Sequence, residues 1–149
     1  MKTLLIFTLV ALACSSTARA KEESVALFVQ AIVGTNRDQE PAGERWKKVG
    51  PKLRHDLSPV FKWKHYWEVS CRKVELKPGK LFRIQLTKER DLEVQIFADG
   101  RLELRMFRGG KPVRTMKDIV AHRRVIMGGD SNTDEAWFVV VRRDKPSTE

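Results

Sequence analysis

Between Phe82 and Met106 the apolar residues fall on alternate positions through three successive runs. Phe82, Ile84 and Leu86 come first, Leu92, Val94 and Ile96 follow, and Leu102, Leu104 and Met106 complete the set. Their interleaved neighbours are polar or charged: Arg83 and Gln85, Glu93 and Gln95, Glu103 and Arg105. A two-residue period sends alternate side chains to opposite faces of a pleated strand, and a 3.6-residue helix cannot sort them that way. Lys77-Pro78-Gly79-Lys80, Asp99-Gly100 and Gly109-Gly110 carry turn chemistry around these runs. Three short strands so joined form an antiparallel meander with one buried face and one wet face. The acids and bases of the wet face are expected to pair across strands, each pair contributing about 0.2–1 kcal/mol.

The rest of the chain extends this pattern. Val25, Leu27, Val29, Ala31 and Val33 alternate, so residues 24–33 read as an opening strand, followed by a polar loop over 34–43 that holds Pro41. Trp46, Val49, Leu53 and Leu57 recur at helical spacing, but Gly50-Pro51 interrupts them, and one or two short helical turns are expected before Ser58-Pro59. A long strand is predicted from Phe61, with Trp63, His65, Trp67, Val69 and Cys71 on its inner face. Lys62, Lys64, Tyr66, Glu68, Ser70 and Arg72 then lie on its outer face. After Cys71 the apolar phase moves to Val74 and Leu76, the signature of a β-bulge or a bend between sheets. Residues 113–119 and 123–127 are further strand candidates, and 128–135 read as a polar hairpin loop. Ala136-Trp137-Phe138-Val139-Val140-Val141 is apolar at every position, as in a strand covered on both faces. Residues 142–149 form a charged tail, frayed from 145. The expected fold is mainly β: an antiparallel β-sandwich or partly open barrel of about seven or eight strands with one short helical segment. Residues 21–144 form a single domain built on one core.

The first twenty residues read as an address. Lys2 precedes an apolar run over 4–13 broken only by Thr8, and Ala18-Arg19-Ala20 offers the small residues that a signal peptidase reads. That run is too short to cross a hydrocarbon layer of about 30 Å as a helix. An export signal over 1–20 is expected, with a mature chain from Lys21 in the periplasm or secreted. Ala11-Leu12-Ala13-Cys14 supplies a minor alternative, a lipoprotein acylated at Cys14. Beyond the signal there is no apolar stretch of membrane-spanning length. The chain carries 29 Lys+Arg and 19 Asp+Glu, a formal charge of +10, and loss of Lys2 and Arg19 with the signal leaves +8. Such a balance keeps an exported protein soluble and favours an anionic envelope component or another protein as partner. Nucleic acid is not expected as the physiological partner at that location. Outside the signal the sole cysteine is Cys71, which excludes an internal disulfide. Its apolar strand context predicts a buried structural thiol.

Three segments carry a resemblance: Ala31-Ile32-Val33-Gly34-Thr35-Asn36, Phe61-Lys62-Trp63-Lys64-His65-Tyr66-Trp67-Glu68-Val69, and Ala136-Trp137-Phe138-Val139-Val140-Val141. In this order behind an export signal they resemble a family of small, uncharacterised exported bacterial proteins. The resemblance spans most of the mature chain. It implies a compact exported domain and transfers no catalytic residue and no ligand.

No motif composes an active site. Gly128-Gly129-Asp130-Ser131 resembles the nucleophile segment of the GDSL esterases, but no histidine follows Ser131 to act as base. His55, His65 and His122 lack a metal-ligand framework, His65 reads as a core residue, and no cofactor is expected. Glu93 and Glu103 are placed to face each other on neighbouring strands, yet Arg83 and Arg105 interleave them, and surface pairing accounts for them better than glycoside hydrolysis. Two basic groups remain. Arg105, Arg108, Lys111, Arg114, Lys117, Arg123 and Arg124 form a candidate anion-binding edge, and Lys62, Lys64 and Tyr66 an alternative binding face. The sequence thus leans away from an enzyme and toward an envelope or extracellular binding or assembly module. A small hydrolase directed at cell-wall or carbohydrate material is one alternative, and a subunit assembling through an edge strand is another.

Overall fold

Alternation along the chain closes into two antiparallel sheets. The computed structural model describes residues 23–39, 45–120 and 124–146, without the side chains of Asp118 and Val120. Residues 1–20, where an export signal is expected, with Cys14, the loop residue Pro41, and His122 and Arg123 lie outside the described residues. The strands are β1 (Val25–Thr35), β2 (Lys47–Lys48), β3 (His65–Leu76), β4 (Leu81–Gln85), β5 (Arg90–Ile96), β6 (Arg101–Arg108), β7 (Lys111–Val120), β8 (Arg124–Ser131) and β9 (Glu135–Arg142), with one helix, α1 (Pro51–Leu57). One sheet has the order β2-β3-β1-β9-β8 and the other β4-β5-β6-β7. These nine strands exceed the expected seven or eight by the two-residue β2, too short to leave a periodic trace.

The sheets pack as a sandwich. Leu27, Val29 and Val33 of β1 and Val139 and Val141 of β9 meet Leu92, Val94, Leu102, Leu104 and Met106 across the interior. Burying each such side chain contributes about 1.5–3 kcal/mol. A second core, absent from the sequence reading, lies on the outer face of the five-stranded sheet. There Ile32, Phe138 and Val140 are covered by Leu53 and Leu57 of α1, with Phe61, Trp63 and Tyr66. This double cover is why β9 is apolar at every position, as its sequence implied. Pro51 occupies the start of α1, where its fixed φ suits the first turn and its missing N–H goes unused. Gly50-Pro51 therefore opens the helix instead of interrupting one.

The second core also corrects the reading of residues 61–72. The strand begins only at His65, and the preceding segment folds back over the sheet through the bond from Phe61 N to the Leu57 carbonyl (2.8 Å). Phe61 and Trp63 thus join the outer core, whereas Trp137 belongs to the inner one. Tyr66 is not on a wet face: it is buried, and its hydroxyl donates to the Phe61 carbonyl. Gly34 makes room for this cover, since a Cβ there would sit 2.6 Å from Trp63 Cδ1. The bulge falls at Val69, where Ala31 pairs with Ser70 and Ile32 with Glu68, two residues before the expected phase change. Cys71 consequently lies on the outer face and is exposed, not buried. His65 is partly exposed, its Nε2 3.3 Å from Asp38 Oδ1, and is not a core residue. Ser131 ends β8, so the expected loop 128–135 shrinks to residues 132–134. Arg142 belongs to the fold as a buried residue that holds Asp144, not to a frayed tail.

Candidate anion-binding cleft

Strands β7 and β8 contact each other and close one side of the sandwich. On the side of β3, the inner face meets the β4–β5 turn across an open cleft of about 630 Å3. Ligand sites commonly enclose about 300–1,000 Å3. The cleft is floored by Trp46 and Trp137, whose rings stand edge to face at 6.4 Å and 81°.

Arg90 organises this floor. Thr87 Oγ1 accepts the backbone N–H groups of Glu89 (3.3 Å) and Arg90 (3.1 Å), which turns the chain and starts β5 with Arg90 inward. Its guanidinium lies 3.7 Å from the centroid of the Trp137 ring, and the residue is only 6% exposed. Nε and Nη2 donate to the two carboxylate oxygens of Asp130 at 3.3 and 2.8 Å. Arg108 Nη1 donates to the same carboxylate at 2.8 Å, and Arg108 also lies 3.9 Å from Glu89. One arch, Trp137–Arg90–Asp130–Arg108–Glu89, thus ties β5 and β6 of one sheet to β8 and β9 of the other. Close approach at Gly129 permits it: a Cβ there would sit 2.4 Å from Met106 Sδ. Burial pushes the Asp130 carboxyl up, but the hydrogen bond and charge of Arg90, with help from Arg108, outweigh it and hold it below the ordinary value.

The rim is unspent. Arg45, Arg72 and Lys88 line the cleft and form no ion pair among the described residues, while its one acid, Glu89, faces Arg108. Trp46 Nε1 and Ser70 Oγ are buried in the cleft wall without hydrogen-bond partners among the described residues. The arrangement attracts an anion to the rim above an aromatic floor. Among the described residues it offers no nucleophile–base pair: the His65–Asp38 contact lies at the surface on other elements. Among the described residues, no group of three or more His, Cys, Asp and Glu is placed to hold a metal ion.

The candidate edge divides. Arg105 is bound to Glu103 at 2.8 Å and lies 3.8 Å from Glu93, which also pairs with Arg83 at 3.5 Å. The Glu93 pairs are the cross-strand pairing expected of the wet face, whereas Arg105–Glu103 lies within β6. Glu93 stands opposite Arg105 and Glu103 opposite Gln95, so the two acids do not face each other as expected. Arg108 belongs to the arch, and Arg124 is bound to Asp56 of α1. Lys111, Arg114 and Lys117 are exposed along β7, without ion pairs among the described residues. On the alternative face, Lys62 is exposed, Lys64 lies 3.8 Å from Asp38, and Tyr66 is turned into the outer core. Sequence reasoning missed Arg45, Arg72, Lys88 and Arg90, which are scattered over the chain. The one available signal was the charged Thr87-Lys88-Glu89-Arg90 turn.

No match to the chain is found among family models, curated proteins or solved structures.

Proposed function

We propose that the protein is a non-enzymatic binding module that holds an anionic partner in the cleft between its sheets. The observation that carries this reading is the rim of three unpaired cations, Arg45, Arg72 and Lys88, around the Trp46–Trp137 floor. Unpaired guanidinium groups suit carboxylate, sulfate or phosphate oxygens, which they bind with two parallel N–H donors. The formal charge, +10 for the whole chain and +8 from Lys21 onward, adds long-range attraction. An anionic component of the envelope or extracellular space is the fitting partner, reached by export through residues 1–20. Intact mass of the exported protein should then match a chain starting at Lys21, and a lipid-modified Cys14 would contradict that processing.

The binding test uses a short heparin oligosaccharide as probe. Affinity should fall steeply between about 50 and 200 mM salt, because binding releases condensed counterions and that release gains less entropy as the bulk salt rises. Neutralising Arg45, Arg72 and Lys88 together should weaken binding and flatten that slope. If the combined Lys111, Arg114 and Lys117 variant does so instead, the partner binds the β7 edge and the cleft reading is wrong.

A further inference from the structure

A second cavity of about 260 Å3 lies on the outer face of the five-stranded sheet and shares no lining residue with the cleft. Its floor is made by adjacent strands, since Gln30 of β1 pairs in register with Cys71 of β3 and Phe28 with Arg142 of β9. Leu53 of α1 and Pro146 add apolar walls. A cavity of about 150 Å3 already accommodates benzene, so this one has room for an aromatic ring with a short arm.

Its charge is one-sided. Lys47 and Lys145 line it without an ion pair among the described residues. Lys48 pairs in register with Trp67, which stands beside the inner-core residue Val33, and its Nζ lies 5.7 Å from the Trp67 ring centroid, so its ammonium is turned toward the opposite face of the sheet. The other lining cation, Arg142, is held by Asp144, and the lining acid, Glu68, accepts the side-chain amide of Gln30. That bond fixes the amide: its nitrogen faces Glu68, and Oε1 is left buried without a partner. Gln30 is 3% exposed in the middle of a core strand, where an apolar residue would cost nothing in desolvation. The unpaired Gln30 oxygen is an acceptor and gives a carboxylate no hydrogen bond, so an anionic ligand is held by the lysines alone.

We propose that this cavity binds a small carboxylate carried on an apolar, ring-sized body. The body packs on Phe28, Leu53 and Pro146, and the carboxylate meets the ammonium groups of Lys47 and Lys145. The cavity and the cleft are independent sites.

Cys71 supplies the readout, because its exposed thiol lies in the cavity lining. Burial of part of the side chain and the nearby Glu68 charge push that thiol up, so alkylation is run at mildly alkaline pH. The full-length chain is treated with iodoacetamide, and the rate at Cys71 is read by peptide mass spectrometry. 3-Phenylpropionate at about four times its Kd should slow it about five-fold, the protection expected at four-fifths occupancy. Acetate, which lacks the body, and 3-phenylpropylamine, which reverses the charge, should leave it unchanged. In the Lys47→Gln/Lys145→Gln variant, measured against its own unliganded rate, the protection should be lost. Equal protection by the amine overturns the carboxylate assignment, and no protection by 3-phenylpropionate overturns the site. The heparin oligosaccharide should leave the Cys71 rate unchanged whether or not it binds the cleft, and protection by it would overturn the independence of the two sites.

Discussion

Replacing Asp130 with alanine removes the carboxylate that joins the two sheets beneath the cleft. Arg90 would keep its place on Trp137 but lose both charge-assisted hydrogen bonds while its side chain is only 8% exposed. Breaking a buried ion pair by deleting one partner costs about 3–5 kcal/mol. Asp130 itself is 20% exposed, so water can enter its place, and the low end, about 3 kcal/mol, applies. In a urea titration with a slope of about 2 kcal/mol/M, that loss moves the midpoint down by about 1.5 M. Arg108→Ala deletes the other partner, but that side chain is 54% exposed, and the cost should stay below about 1 kcal/mol. The difference between wild type and Asp130→Ala also depends on pH. The folded carboxyl is held below its ordinary value of 3.8, so its contribution is complete above that value and disappears as pH falls through the lower folded one. A loss under about 1 kcal/mol at neutral pH, or equal losses from Asp130→Ala and Arg108→Ala, would refute the arch as the element that fixes the floor.

Two further substitutions test the cores. Gly34→Ala should cost about 1–3 kcal/mol, because the added Cβ meets Trp63 at 2.6 Å and Phe138 at 3.1 Å, and urea titration followed by tryptophan fluorescence reads it. Trp67→Ala should cost about 3–5 kcal/mol, since the residue is buried, whereas Lys64→Ala should cost less than about 0.5 kcal/mol in the same assay.

The meander was legible because each of its strands has one wet face, and a half-buried strand writes its geometry as alternation. Leu92, Val94 and Ile96 point inward as read, with Glu93 in ion pairs outside. Alternation misled where both faces are covered. Tyr66 falls on the polar phase of its strand, yet the face it occupies is roofed by α1 and the turn before His65, which no local period announces. Cys71 was misplaced for a related reason: the bulge at Val69 reverses the phase two residues earlier than the apolar positions reveal, because Ser70 and Arg72 take the inward phase at the open cleft. The cleft itself could not be assembled from sequence. Arg45, Arg72, Lys88 and Trp137 come together only through the sheet order β2-β3-β1-β9 and the packing of the β4–β5 turn against it. Arg90 opens a strand as an ordinary surface arginine would, and its burial follows from Trp137 and Asp130, about forty residues on.

The central claim is that an anion enters between the sheets. The four tryptophans allow it to be read directly, because Trp46 and Trp137 floor the cleft while Trp63 lies in the outer core. Titration of 15N-labelled protein with the heparin oligosaccharide, followed at the indole N–H resonances, separates these positions. The resonance of Trp46, whose Nε1 is buried without a partner in the cleft wall, should shift progressively and saturate, and that of Trp63 should stay fixed. Saturable shifts confined to the backbone amides of Lys111, Arg114 and Lys117, with the Trp46 indole unmoved, would contradict the account.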